Sequence, residues 1–254
     1  MENRIRNLLG KTTLVGTFIK TPSLHIVEIL GATNLNFAVI DAEHAPFDRH
    51  TIDQLIVASR AVGLPLLVRV PDSEPSTILS ALDLGAAGIL VPHVDTPEHA
   101  RAVVSRARFR GGSRGYSGSP RFASYGATNM AAAIEAGDTA VILCQIESAE
   151  GLANAHAIAG VPGVDGLFIG PADLSLSMGV APASEALFAA MTQIIEAAQG
   201  AGKLAAMFAK NAEEVDAFRR KGVSIFVVAS DQSLLRDGAS RIAAAVEQLQ
   251  SQEQ

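Results

Sequence analysis

The chain has a single cysteine, Cys144, so an intrachain disulfide is excluded. That suits a reducing, cytoplasmic setting. Cys144 sits inside the apolar run Ala140–Ile146 and reads as a small buried hydrophobe rather than a nucleophile. No stretch of bilayer-crossing length is free of polar residues and helix breakers. The start Met1–Asn7 is not followed by an apolar signal core. Positive charge is not in excess: 20 Lys and Arg against 26 Asp and Glu give a net charge of -6. This argues against a nucleic-acid partner, because nucleic-acid binders carry basic patches. There is no Pro- or Ser-rich linker, so residues 1–254 read as one domain, with 250–254 as a frayed polar tail. A glycine-rich dinucleotide fingerprint is missing after the first apolar run, which weakens an open doubly wound sheet.

What is present is regular. Hydrophobic residues make up 48% of the chain, enough for a sizeable core. Eight short apolar runs predict strands: Leu14–Ile19, Phe37–Asp41, Leu66–Val70, Gly88–Pro92, Val141–Glu147, Gly166–Gly170, Leu204–Phe208 and Ile225–Ala229. They do not alternate apolar with polar, as expected for parallel strands buried on both faces. Eight segments of helical period follow them: Ser23–Leu30, Arg49–Val62, Ser76–Leu84, Pro97–Ala107, Glu150–Ile158, Glu185–Ala201, Ala212–Lys221 and Leu234–Gln248. Cap residues Ser23, Asp48, Ser184 and Asn211 precede several helices, and glycines such as Gly63 and Gly222 end others. Eight strand–helix units in one α/β chain predict a closed (β/α)8 TIM barrel. The longest irregular stretch, Arg108–Asn129, reads as a lid or binding loop.

Barrel enzymes build their sites at the carboxyl ends of the strands. There the sequence places Asp41-Ala-Glu-His44, Arg69, Pro92-His93, Gln145-Ile-Glu147 and Gly170-Pro-Ala-Asp173. Glu147 and Asp173, from neighbouring strands, suit a hard divalent ion such as Mg2+, with Mn2+ or Co2+ as alternatives. Spacing alone leaves arginine pairing open for both. Arg69, within a buried strand, must be paired or must face an anionic substrate. Asp41 lies three residues before His44 and is placed to orient its imidazole. Gly170–Asp173 reads as a tight turn whose Ala172 and Asp173 N–H groups can face an anion. His25, His50, His99 and His156 read as surface residues on or near helices, while His93 is ambiguous.

Four of these segments, in matching order across nearly the whole chain, resemble the class II pyruvate aldolases. They are Asp41–His44, Leu82-Asp83-Leu-Gly-Ala-Ala-Gly-Ile-Leu-Val-Pro92, Gln145–Glu147 and Gly163-Val-Asp-Gly-Leu-Phe-Ile-Gly-Pro-Ala-Asp-Leu174. That family is the 4-hydroxy-2-oxoheptane-1,7-dioate aldolases (HpcH/HpaI), with the 2-keto-3-deoxy sugar-acid aldolases. The resemblance implies a barrel of the phosphoenolpyruvate/pyruvate type that cleaves a 4-hydroxy-2-keto acid reversibly to pyruvate and an aldehyde. It implies Glu147 and Asp173 as metal ligands, Arg69 at the pyruvyl end, and His44, oriented by Asp41, as the acid–base group. Gln145 and the Ala172 backbone would line the pyruvate site, and Asp83 would help a neighbouring subunit of a homohexamer. Phe18 stands where the family often has tryptophan, and the loop Arg110-Gly-Gly-Ser-Arg-Gly115 departs from its usual sequence. Those departures leave the aldehyde open, and a role for Arg114 or Arg121 stands against a loop salt bridge. No lysine Schiff base is expected, since none of Lys11, Lys20, Lys203, Lys210 and Lys221 reads as a central strand end. A thioester lyase like the citrate-lyase β subunit or malyl-CoA lyase is the second reading, and a non-catalytic barrel the third.

Overall fold

The computed structural model describes residues 3–252. It opens with a helix the apolar pattern does not reveal, α1 (Arg4–Leu8), and then alternates strand and helix. The strands are β1 (Leu14–Ile19), β2 (Phe37–Asp41), β3 (Leu66–Arg69), β4 (Gly88–Val91), β5 (Val141–Ile146), β6 (Gly166–Ile169), β7 (Leu204–Ala209) and β8 (Val223–Ser230). Every neighbouring pair is parallel, and β1 pairs with β8, so the sheet closes into an eight-stranded barrel and not an open sheet. The helices are α2 (Leu24–Gly31), α3 (Arg49–Val62), α4 (Pro75–Asp83), α5 (Pro97–Ala107), α6 (Met130–Gly137), α7 (Ala149–Ala159), α8 (Pro171–Met178), α9 (Glu185–Gly200), α10 (Ala212–Arg219) and α11 (Asp231–Gln252).

Two apolar cores follow from the strand period of two. Leu14, Phe18, Phe37, Val39, Leu67, Leu90, Val141, Leu143, Phe168 and Ile225 fill the barrel interior. The alternate residues, such as Ile19, Ile40, Val68, Ile89 and Cys144, pack outward beneath the helices. Ile5 on α1 is fully buried in the interior cluster, so α1 plugs the amino end of the barrel. It is strapped there by Arg6, whose guanidinium meets Asp165 at 2.5 and 2.7 Å and donates to the Thr139 and Ala140 carbonyls.

Local chemistry accounts for most helix ends. The Asp48, Ser184 and Asn211 side chains accept the N–H groups of Thr51, Leu187 and Glu214. Ser23 holds the cap position without that bond. The turn expected at Gly170–Asp173 is instead the head of α8: Pro171 opens it, where its missing N–H costs nothing. The 108–129 stretch stays irregular apart from a short segment, Arg121–Gly126, in which Ser124 and Tyr125 take positive φ. The polar end expected to fray is helical through Gln252, and 253–254 lie outside the described residues. Among the described residues no helix is long and apolar enough to cross a membrane.

Candidate active site

The same period that fills the interior carries a set of polar residues inward at the carboxyl end. Continuing the inward positions Leu14 and Phe18, Val39, Leu67, and Val141 and Leu143 by steps of two reaches Lys20, Asp41, Arg69, Gln145 and Glu147. Asp41 and Arg69 also stand opposite each other in the β2–β3 register. Their pairing is bidentate: Arg69 Nε donates to Asp41 Oδ1 at 3.0 Å and Nη2 to Oδ2 at 2.8 Å. The Arg69 guanidinium lies over the Phe18 ring, 4.6 Å from its centroid. Both charges are buried, so each depends on the other. Burial pushes the Asp41 carboxyl up, but its hydrogen bonds and charge contact with Arg69, helped by Lys20, outweigh this and hold it below the ordinary carboxylate range.

Two sequence expectations change here. Asp41 does not orient the His44 imidazole: Asp41 Oδ1 accepts the backbone N–H of His44 at 3.2 Å, closing the turn after β2. The imidazole Nε2 lies 3.5 Å from Glu43 Oε2 instead. A carboxylate already shared by Arg69 and Lys20 has no free lone pair aimed at the ring. Lys20 is the second change. It directly follows β1, and its Nζ sits 3.0 Å from Asp41 Oδ2, so a lysine does stand at a strand end within the site. Asp231, at the head of α11, fixes this corner by accepting the N–H groups of Lys20 and Thr21 at 2.8 and 2.9 Å.

Around Glu147 the structure gathers residues that spacing did not join. His93 takes a left-handed backbone conformation, φ 53°, unusual for a residue with a β-carbon. This turns its N–H onto Glu147 Oε1 at 2.8 Å and brings its Nδ1 to 3.1 Å from the same oxygen. His93 Nε2 also lies 3.4 Å from Glu43 Oε1. Glu43 Oε2 is 3.3 Å from Arg69 Nε, but in no hydrogen-bonding geometry. Burial, with the nearby Glu147 charge, raises the Glu43 carboxyl above its ordinary range against the pull of Arg69 and His44. The Gln145 side-chain N–H donates to Glu147 Oε2, which leaves the buried Gln145 Oε1 without a partner.

Glu43, His93 and Glu147 thus offer ligand atoms all within 4.8 Å of one another. Two carboxylates, one imidazole and two buried oxygens lacking donors fit a hard divalent cation better than any neutral filler. Asp173 is outside that cluster, exposed in the first turn of α8. The head of α8 nevertheless abuts it. A β-carbon on Gly170 would stand 3.0 Å from both Gln145 Nε2 and Glu147 Oε2, so glycine is needed for this approach. The Ala172 and Asp173 N–H groups belong to the first turn of α8, which has no intrahelical acceptors for them.

Asp83 is not part of this cluster within the chain. It ends α4 at the amino end of the barrel, paired with Arg114 Nη2 at 2.8 Å. Arg121 pairs with Asp53 at 2.5 Å, so both loop arginines make salt bridges. Of the histidines expected at the surface, His25, His50 and His156 are exposed, whereas His99 is half-buried with its Nε2 2.8 Å from the Ser73 hydroxyl. The resemblance placed Glu43 near the site and left His93 ambiguous, without joining either to Glu147, and Lys20 was set aside as no central strand end. The step of two from Phe18 was the signal for Lys20.

Residues 14–238 match the model of the HpcH/HpaI aldolase/citrate lyase family. The chain is 32% identical over 242 residues to the 2-dehydro-3,6-dideoxy-6-sulfogluconate aldolase of Pseudomonas putida, covering 94% of each chain. It is 33% identical over 249 residues to the hydroxypyruvate/pyruvate aldolase of Roseobacter denitrificans, again covering 94% of each. A solved HpcH/HpaI aldolase/citrate lyase family protein from Burkholderia cenocepacia superposes with a TM-score of 0.92 at 30% identity, covering 96% of this chain and 99% of that one.

Proposed function

The chain belongs to the HpcH/HpaI aldolase/citrate lyase family, and from that premise we propose that it is a divalent-metal-dependent class II aldolase. It is a carbon–carbon lyase that splits a 4-hydroxy-2-keto acid reversibly into pyruvate and an aldehyde. The observation that carries this reading is the single inner-facing cluster at the carboxyl end of the barrel. There a fixed guanidinium stands beside buried oxygens that lack donors.

In this reading Glu147 and Asp173 hold the cation, Mg2+ first, with Glu43 and His93 beside Glu147 at ligand distance. When bound, the cation supplies Lewis-acid polarisation of the substrate keto oxygen. Arg69, locked by Asp41 and laid over Phe18, faces the carboxylate of the keto acid and offsets the charge that grows on the enolate oxygen. Gln145 and the Ala172 N–H line the same end. His44, acting through water, takes the proton of the 4-hydroxyl. The oxygen pair becomes the aldehyde carbonyl, the C3–C4 bond breaks, and its electrons pass into the pyruvate enolate. A proton from solvent at C3 completes pyruvate.

The same reading carries a cytoplasmic homohexamer. In support, the large hydrophobics Leu235, Ile242 and Leu249 of α11 are 74, 70 and 63% exposed, an apolar face suited to cover by other copies. Asp83, at the far end of its own barrel, then serves a neighbouring subunit's site. The test is deuterium exchange at the pyruvate methyl, followed by NMR with EDTA and with added Mg2+ or Mn2+. Metal-dependent exchange without an aldehyde is the expected result. No exchange with any metal overturns the reading and favours thioester chemistry or a non-catalytic barrel.

A further inference from the structure

At the opposite end of the barrel lies a cavity of about 260 Å³ that the aldol chemistry does not use. It opens between the head of α1, the α3–β3 and α4–β4 turns, the 108–129 loop and α6. Its volume approaches the lower end of small-molecule sites, roughly 300–1,000 Å³. The chain carries a net charge of -6, yet among the described residues no aspartate or glutamate lines the cavity. Four arginines do: Arg4, Arg60, Arg114 and Arg121.

Their pairing is uneven. Arg121 is matched by Asp53, and Arg114 by Asp83. Among the described residues Arg4 reaches only the Gly63 carbonyl, at 3.1 Å, and Arg60 has no ion pair. Among those residues two positive charges at the mouth are therefore unopposed. Deeper in, the Arg114 side chain is 1% exposed, and its guanidinium is held 4.2 Å from the Phe109 centroid and 4.7 Å from that of Phe122. Its Nε–H is buried with no acceptor. A buried charged donor left unsatisfied is costly. The remaining walls mix apolar residues, among them Leu64, Leu82, Phe122 and Ala136, with the uncharged polar residues Asn3, Ser59, Ser124 and Thr139.

We propose that this cavity binds a small organic carboxylate with an apolar body, its anionic group meeting Arg4 and Arg60 at the mouth. The site is separate from the aldol centre of the same barrel, because it lies among the amino ends of β3 to β5 and the acidic cluster lies beyond their carboxyl ends. Inorganic phosphate has the charge but no apolar body, and benzamide has the body but no charge. Benzoate has both and is the probe.

The experiment is calorimetric titration of the full chain in EDTA with benzoate, benzamide and inorganic phosphate, repeated with Mg2+ and saturating pyruvate. Saturable benzoate binding is expected, one per chain, unaffected by pyruvate and weakened about tenfold by Arg60→Gln. Ala136→Phe, which fills the cavity, abolishes it while the circular dichroism spectrum is kept. Should Ala136→Phe fail to fold, Arg60→Gln, an exposed position, keeps the test standing. The proposal is overturned by no saturable benzoate binding, by displacement with pyruvate and Mg2+, by equal binding of benzamide, by phosphate binding alone, or by binding that both variants leave unchanged.

Discussion

The two ends of this barrel hold the same kinds of charge in opposite states of satisfaction. At the carboxyl end, acceptors outnumber usable donors: buried Glu43 Oε2 and Gln145 Oε1 lack hydrogen-bond partners, although Arg69 and His93 lie close by. At the amino end each buried carboxylate has an arginine, Asp165 with Arg6 and Arg108, and Asp83 with Arg114. What is unmatched there is a charged donor, Arg114 Nε, together with the Ser224 hydroxyl at the start of β8. Unpaired buried polar atoms are rare because each forfeits its hydration without return. One end therefore suits a cation and the other an anion. The amino end reads as fastening, with α1 strapped across the interior core, and the carboxyl end as chemistry held ready.

Removing carboxylates at the chemical end should have the largest effect. Glu147→Ala and Asp173→Ala are each expected to abolish metal-dependent cleavage and pyruvate exchange. Titration with Mn2+ should show weakened binding, and retained turnover with metal still bound would refute the ligand assignment. His44→Ala should cost cleavage on the order of 10²- to 10³-fold, the usual range for acid–base groups. Exchange at the pyruvate methyl should suffer less, because it involves no 4-hydroxyl. Equal losses in both assays would move His44 to a binding role. Arg69→Lys keeps a positive charge beside Asp41 but loses the fork that engages both its oxygens. About a hundredfold loss in kcat/KM is expected, comparable to losing one oxyanion donor. A variant that instead unfolds, with normal activity per folded molecule, would make Arg69 a structural residue only.

How far this contrast was legible beforehand follows strand parity. Eight apolar runs could be read because parallel strands are apolar on both faces, and each run came within two residues of an observed strand. Asp41, Arg69, Gln145 and Glu147 were legible because they end such runs. His93 was not, since only its positive φ turns it onto Glu147, and no residue pattern announces that for a histidine. Lys20 was hidden by standing one residue past β1. The Asp41–His44 spacing misled because a short side chain three residues ahead meets a backbone N–H more readily than a ring. Three helices, α1, α6 and α8, were not read; with five residues α1 is too short for a 3.6-residue period to show, whereas α2 and α10, as short as α6 and α8, were read. Pro171 after Gly170 was the readable mark of α8.

At the fastening end, Arg6→Ala removes a bidentate pair and two bonds to carbonyls. A loss of about 2 kcal/mol is expected, the scale of charge-assisted hydrogen bonds on a partly exposed arginine. Urea unfolding should register it while methyl exchange per folded molecule stays unchanged. A fall in exchange would mean the two ends are coupled.

The smallest effect is expected between the ends, at Cys144, in the outward-packed layer of β5. Burial, with the Asp165 charge adding to it, pushes its thiol up to about 12. Native protein should therefore resist a thiolate-directed reagent at pH 8, and urea-unfolded protein should react at once. The linkage has a definite sign. The unfolded thiol ionises near an ordinary value of about 8.5, while the folded one stays neutral. The stability that the neutral buried thiol contributes is thus complete below that value and is lost as pH rises towards 12. Cys144→Ser places a hydroxyl in the same apolar layer, and Cys144→Ala does not. If Cys144→Ala kept the midpoint of alkaline unfolding unchanged, the alkaline limit of the fold would lie in the arginine and lysine pairs at its two ends and not in the wall between them.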